Sequence, residues 1–188
     1  MANVKKTALK KKKWYSIVGP KDFNSVQIGE VPTLQPETFV GRKISVNLST
    51  LTNDPRKQST TIIFKIIDYK GAQLDAEIDG LIMAPSHIKR LIRKNKDRVD
   101  DSFTITTKDE KKVQVKPFVI TRSKVSHRIQ TTIRKMIQDH FREQAKEATF
   151  NQLFINLLQI KTQRTLKGEI KKIAPVNVIE IRTFKQIA

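Results

Sequence analysis

The chain has 188 residues, of which 37 are lysine or arginine and 18 are aspartate or glutamate, so its formal charge is +19. The absence of cysteine excludes disulfides, thiolate zinc sites and cysteine nucleophiles, and no apolar run reaches the roughly 18 residues that a membrane-spanning helix needs. Because so positive a chain repels itself until a polyanion binds it, we expect a nucleic-acid partner rather than a membrane.

The N-terminal segment Met1–Lys13 contains six lysines, no acid and little apolar content. This composition predicts a disordered basic arm and no signal peptide, because no apolar stretch follows the lysines. A single globular RNA-binding domain is expected over residues 14–188. We favour packing of Trp14 against this domain over stacking on a base. We expect residues 19–41 to form irregular chain with one short strand near Val26–Ile28.

Alternation of apolar and polar residues, together with β-branched side chains, indicates a series of strands. Turns are predicted at Asn53–Pro55, Lys70–Gly71 and Lys108–Lys111. The predicted strands cover residues 44–48, 60–67, 74–79, 103–107, 113–120 and 176–181. Their spacing favours an antiparallel meander and therefore an α+β fold, with a small antiparallel β-barrel or curled sheet and flanking helices.

Three helices interrupt or follow these strands. The first is predicted to begin at Ser86 as its N-cap, and its apolar face is formed by Ile88, Leu91 and Ile92. The second covers about Lys124 to Ala148. The third begins near Thr149, where Gln152 completes a capping box. Gly168 is the predicted end of a further short segment.

The second helix carries the most informative charge pattern. At 100° per residue, five cations fall within a sector of roughly 40°: Lys124, Arg128, Lys135, Arg142 and Lys146. We interpret them as a basic ridge along a phosphate backbone, with a solvated face that binds nothing as the alternative. The first helix has a similar set, for which the two interpretations carry equal weight: Lys89, Arg90, Arg93 and Lys94.

Patterns typical of catalysis or metal binding are weak. The carboxylates Asp75, Glu77 and Asp79 alternate along a predicted strand. We expect them to form a solvent-exposed face of the strand or to contact a basic protein neighbour. None of the three histidines stands near a serine and an aspartate in a triad-like arrangement, and no glycine-rich phosphate loop occurs. The sequence therefore predicts no catalytic residues, no metal, no cofactor and no small-molecule substrate.

Five stretches in order, covering nearly the whole chain, resemble the S3Ae family of archaeal and eukaryotic small-subunit ribosomal proteins. They are KKKWYSIVGPKDF at Lys11–Phe23, VGRKISVNLSTLTND at Val40–Asp54, VDDSFTITTKD at Val99–Asp109, HRIQTTIRKMIQDH at His127–His140 and IKKIAPVNVIEIRTFKQ at Ile170–Gln186. Each motif is short, and it is the ordered set that carries the resemblance.

Three positions depart from the family pattern. Asp109 is followed by Glu110 where the family usually has glycine, Gly19 precedes Pro20 in place of alanine, and Met136 replaces one lysine of an Arg-Lys-Lys run. The chain also lacks the long C-terminal extension of eukaryotic members, so the resemblance is to the archaeal type.

The resemblance implies a structural protein of the cytoplasmic small ribosomal subunit, in its platform near the messenger RNA exit. Small-subunit ribosomal RNA, neighbouring ribosomal proteins and messenger RNA near its exit are the implied partners, and no catalytic residues are implied. Matching motifs assign RNA contacts to Lys11, Lys12, Lys13, Trp14, Arg134 and Lys135. The alternatives are an RNA-binding regulator outside the ribosome and an RNA-processing enzyme.

Overall fold

The computed structural model describes residues 11–20, 23 and 25–187. Within them the fold is α+β, as predicted, with nine strands in one mixed sheet and five α-helices. The strands are β1 Lys13–Val18, β2 Gln27–Thr33, β3 Lys43–Asn47, β4 Thr60–Lys70, β5 Gln73–Met83, β6 Arg98–Asp100, β7 Phe103–Thr106, β8 Lys112–Thr121 and β9 Val176–Gln186. The helices are α1 Leu48–Thr52, α2 Pro85–Leu91, α3 His127–Glu147, α4 Phe150–Leu158 and α5 Lys161–Ile170.

Strand β5 organises the sheet. It pairs with β4 along one edge, and on its other edge it pairs with β1 near its start and with β9 near its end. β9 continues to β8, which pairs with both β6 and β7. The prediction of a purely antiparallel sheet is wrong at one pair, because β1 and β5 run parallel. Alternation reveals which face a residue occupies but not the direction of its neighbouring strand. Among the described strands no pairing closes the sheet into a barrel.

Gly80 lies where β5 pairs with β9. A Cβ atom added there would lie 2.3 Å from the carbonyl oxygen of Phe184, a distance at which no real Cβ atom is found. The absence of a side chain at Gly80 therefore allows the two strands to pair and joins the halves of the sheet.

The solvent-exposed face predicted for β5 does not extend to Asp79. A bulge between β4 and β5 leaves Asp79 without a cross-strand partner and turns its side chain inward, where it is only 5% exposed. Both carboxylate oxygens accept from Lys43 Nζ, at 2.9 and 2.8 Å. The prediction that Asp79 faces solvent is therefore wrong, because a bulge breaks the two-residue period.

The structure begins with exposed Lys11 and Lys12, and Lys13 is the first residue of β1. Residues 1–10 of the predicted arm lie outside the described residues. Trp14 is 65% exposed, so the expectation that it packs against the domain is wrong. The predicted short strand near Val26–Ile28 is the start of the longer β2, whose exposed Pro32 fits an edge strand because proline cannot donate to a ladder.

Several predicted helix boundaries are corrected. The N-cap of α2 is Ala84 rather than Ser86, because Pro85 occupies the first turn. Ile92 follows the end of α2 and is exposed. Leu48, predicted as a strand residue, begins α1. Gly168 lies inside α5, two residues before its end, because neighbouring residues pack well enough to carry the helix past it.

The turn between β7 and β8 supports the helices. Glu110 has a φ of 58°, in the left-handed region. A three-residue hairpin loop favours glycine at this position. This preference is a physical reason for the glycine that is usual here in the resembled family. Asp109 Oδ2 accepts the backbone N–H of Phe150 at 3.1 Å. The predicted capping box of Thr149 and Gln152 is confirmed at the same helix start. This turn therefore fixes where α4 begins.

Candidate nucleic-acid interface

Helix α3 lies with one face on the sheet. Its buried side chains are no more than 1% exposed and belong to the main core cluster: Ile133, Ile137, Phe141 and Ala145. Because 21 residues rise by roughly 30 Å, α3 is about as long as the diameter of a small domain.

The exposed face of α3 carries four of the five predicted cations. Arg128, Lys135, Arg142 and Lys146 are all exposed and lie within a sector of roughly 40°, opposite the buried side chains. We call these four residues the α3 ridge. Lys124 is exposed but precedes the helix, which begins at His127. The prediction that Lys124 extends the helical row is therefore wrong, although it lies just before the ridge in the chain.

The α3 ridge keeps most of its charge uncompensated. Arg142 Nη1 lies 3.7 Å from Asp139 Oδ1, and both side chains are more than half exposed. An exposed pair of this kind contributes only about 0.2–1 kcal/mol. No other ridge residue is ion-paired within the part of the chain that the structure describes. The ridge is therefore able to exchange water and small ions for phosphates.

Arg134, predicted to contact RNA, lies on a different side of α3. Its side chain is half-buried, and its Nε donates to the carbonyl oxygen of Asp100 at 3.2 Å. Nearby, Gln138 Nε2 donates to Asp101 Oδ2 at 2.7 Å. These contacts join α3 to Asp100, the last residue of β6, and to Asp101, which follows it. Arg134 therefore contacts the end of β6 and does not stand in the ridge.

The second predicted basic surface is divided between a helix and a loop. Lys89 and Arg90 are exposed in the last turn of α2, whereas Arg93 and Lys94 follow its end and are also exposed. The helical spacing used to align all four cations therefore applies to only two of them. The other two take their positions from irregular chain, in which Asn95 has a φ of 65°.

The N-terminal candidates lie together at the start of β1. Lys11, Lys12 and Lys13 are exposed and stand directly before Trp14. An exposed indole next to three lysines combines a flat stacking surface with phosphate-binding charge. The exposure of Trp14 removes the main argument against stacking, which was the expectation of packing.

A cluster of three cations escaped sequence analysis. Arg122, Lys167 and Lys171 line one cleft with Pro175, Val176 and Asn177. We call this cleft the β8–α5 cleft. Arg122 follows β8, whereas both lysines belong to α5 or its end. Sequence periodicity could not detect this set, because its members come from segments about 45 residues apart that only the tertiary fold brings together.

A separate, mostly apolar cavity of about 220 Å³ lies beside α2. In its wall His87 Nε2 lies 3.7 Å from Glu180 Oε1. Burial raises the pKa of Glu180, while the nearby His87 acts in the opposite direction. The volume is below the roughly 300–1,000 Å³ of typical small-molecule sites, so the cavity offers little room for a substrate.

Two further findings concern other classes of site. In residues 11–20, 23 and 25–187, no group of three or more histidine, aspartate or glutamate side chains is arranged to hold a metal ion. Of the helices formed by those residues, none combines the length and apolar character needed to cross a membrane.

Comparison with known proteins identifies the family. The model of the ribosomal S3Ae family matches residues 2–188. This chain belongs to the ribosomal S3Ae family. The membership confirms the resemblance read from the five ordered motifs. The family is one of ribosomal proteins rather than enzymes, so the prediction that the chain is not an enzyme is also confirmed.

Similar proteins come from several archaea, and each is named small ribosomal subunit protein eS1. The relative from Nanoarchaeum equitans is 34% identical over 182 residues, which cover 97% of this chain and 92% of the relative. The relative from Methanothermobacter thermautotrophicus is 31% identical, covering 92% and 88%. The relative from Haloarcula marismortui is 29% identical, covering 91% and 80%. The S3Ae chain therefore aligns with these archaeal proteins over most of both lengths.

Proposed function

We propose that this S3Ae chain is a structural constituent of the cytoplasmic small ribosomal subunit. In this proposal it binds ribosomal RNA and neighbouring ribosomal proteins in the platform, near the messenger RNA exit. Residues 14–188 act as the RNA-binding domain and Met1–Lys13 as a basic arm. Family membership and the name shared by the archaeal relatives support the ribosomal role.

The observation that carries RNA binding is the α3 ridge. Four exposed cations lie in one line on a helix whose other face is buried in the core, so their spacing is set before RNA arrives. A rigid row loses less conformational entropy on binding than four independent side-chain positions would. Contacts to phosphate determine orientation and carry no base sequence by themselves.

The exposed arginines and lysines contribute differently. Arg128 and Arg142 can donate two parallel hydrogen bonds to one phosphate, whereas Lys135 and Lys146 act as mobile point charges. Trp14 provides a stacking surface for an unpaired base. The combination suits recognition of folded RNA by shape, since the deep groove of an A-form helix hides its base edges.

Crosslinking with ultraviolet light in cells, followed by sequencing of the attached RNA, tests this proposal. We expect reads concentrated on one region of small-subunit ribosomal RNA, with crosslinked peptides from α3 and from the segment around Trp14. Sedimentation of the same extracts should place about one copy of the chain in each small subunit. Reads spread over messenger or transfer RNA, with the chain outside the subunit, would instead support a free regulator or an RNA-processing enzyme.

A further inference from the structure

The β8–α5 cleft lies outside the α3 ridge and contains an unusual concentration of positive charge. Arg122 and Lys171 are exposed, and Lys167 is half-exposed. The six residues that line the cleft include no carboxylate. None of these three cations forms an ion pair with any residue that the structure describes. Like charges held together raise the free energy of the folded protein unless an anion binds between them.

The lysine side of the cleft is held by a defined contact. Lys167 Nζ donates to the carbonyl oxygen of Asn177 at 2.6 Å, which fixes the ammonium group over the start of β9. An ammonium has three donors, so two remain for another acceptor. Lys171 lies four residues further on at the end of α5, and residues at this spacing share a helix face.

The arginine side is held by the buried end of β8. The backbone N–H of Arg122 donates to the carbonyl oxygen of Pro175 at 2.8 Å. The neighbouring Thr121 hydroxyl is fully buried, donates to the carbonyl oxygen of Ser123 at 2.7 Å and accepts the backbone N–H of Asp97 at 3.0 Å. The backbone that carries Arg122 is therefore rigid, and the cleft is formed before any ligand binds.

Along the chain, the cleft lies close to the N-terminal end of α3. Arg122 precedes Lys124 by two residues and Arg128 by six, so consecutive Cα atoms limit the distance from Arg122 to Lys124 to roughly 7 Å. The cavity has a volume of about 350 Å³. This volume leaves room for a hydrated phosphate group.

We propose that the β8–α5 cleft is a second RNA-binding site, in which Arg122, Lys167 and Lys171 hold a backbone phosphate. This inference rests on the proposed function and extends it to a surface that neither the motifs nor helical periodicity identified. We favour RNA over an acidic protein segment, because the cleft holds three cations and no carboxylate and the chain belongs to a family of ribosomal proteins.

Salt dependence of RNA binding tests the cleft. Binding of the full chain to small-subunit ribosomal RNA is measured between 50 and 200 mM salt for wild type and for the double variant Lys167→Gln with Lys171→Gln. Each lost phosphate contact lowers the slope of log affinity against log salt by about one, so we expect a decrease of about two. Glutamine is chosen because its amide can still donate to Asn177.

The matched control is Lys65→Gln with Lys70→Gln, which removes the same charge from exposed positions of β4. β4 is separated from β8 by β5 and β9 in the sheet. Thermal unfolding of both double variants identifies any loss that comes from the fold. A decrease in slope no larger than that of the control, with the fold intact, overturns the cleft assignment.

Failure of the cleft is distinguishable from failure of the proposed function. The ridge variant Arg128→Gln with Lys135→Gln is measured in the same series. If it reduces the slope while the cleft variant does not, the cleft proposal fails and the ribosomal RNA proposal stands. If wild type itself shows no preference for small-subunit ribosomal RNA over transfer RNA, both proposals fail. Crosslinked peptides that contain residues 167–177 would support the cleft independently.

Discussion

Helices α2 and α3 have similarly basic sequences but present their charges in different ways. α2 has seven residues, and one buried side chain, Ile88, joins it to a small core cluster. α3 has 21 residues and buries four side chains in the main cluster. Two of the four α2 candidates fall beyond the helix, whereas four of the five α3 candidates stand in one row. Periodic spacing therefore has meaning only over the length for which buried contacts keep the chain helical.

The two helices also differ in how firmly they hold their positions. α3 is joined to the end of β6 by Arg134 and to the residue after it by Gln138, whereas α2 is linked to β9 by the longer contact between His87 and Glu180. A binding surface that is already rigid loses little entropy when a partner binds. The ridge is thus better suited to bind a phosphate backbone in a fixed orientation.

Removing the core side chain beneath the ridge should have the largest effect. Phe141→Ala leaves a cavity where the ring is fully buried, and we expect a loss of about 3–5 kcal/mol in the free energy of unfolding. Ile88→Ala under α2 should cost less, about 2 kcal/mol, since its side chain is smaller and lies at the edge of the core. Urea unfolding measures both. Equal losses would show that α2 is seated as firmly as α3.

Charge removal sharpens the comparison at the level of RNA binding. Arg128→Gln with Lys135→Gln should lower the salt slope of RNA affinity by about two, because both residues belong to the row. Lys89→Gln with Arg90→Gln removes the same charge from α2 and should lower it by about one or less. A larger effect at α2 than at α3 would reverse the proposed order of the two surfaces.

Lys124 tests whether helical alignment matters more than proximity. It lies four residues before Arg128 and outside the helix. We expect Arg128→Gln to reduce the salt slope by about one and Lys124→Gln to reduce it by less, because the loop side chain is less constrained. Titrations of the two single variants under identical salt conditions provide the comparison. Identical slopes would mean that local charge alone determines the contact.

The smallest predicted effect concerns the contact that holds α2 to β9. Burial raises the pKa of Glu180 in the folded protein, so its contribution to stability is fully present below the unfolded pKa and is lost as pH rises through the folded pKa. Glu180→Gln removes this loss. Between pH 4 and pH 7 the stability of the variant relative to wild type should therefore increase with pH, by about 0.5 kcal/mol in total.

Melting temperatures across that pH range measure the gain. Glu77→Gln, on an exposed position of β5, serves as the control. A difference between the Glu180 variant and wild type that stays constant with pH would contradict the assigned cause, because only a group that titrates differently in the two states produces a pH-dependent difference.

Local patterns predicted the parts of the fold that local physics controls. The capping box at Thr149 and Gln152 was found from two residues, because its hydrogen bonds close within one turn. The turn at Gly71, with φ 60°, follows from a residue type that favours this conformation. The buried stripe of α3 was likewise visible, since burial repeats with the helical period.

Features that depend on distant segments could not be predicted in this way. The inward turn of Asp79 depends on a bulge opposite β4, and the exposure of Trp14 depends on which residues β1 meets. The parallel pairing of β1 with β5 joins segments more than fifty residues apart. No local period encodes such a pairing, because it is selected by the burial of the whole sheet.

Net charge and helical spacing depend on composition and local order alone, so the amino-acid sequence was enough to predict a polyanionic partner and one basic helical row. The five ordered motifs also identified the family. The tertiary structure decided which cations share a surface. It separated Lys124 and Arg134 from the ridge and brought Arg122 together with Lys167 and Lys171. Side chains from separate segments meet only after the core has formed, so their proximity is a property of packing rather than of sequence order.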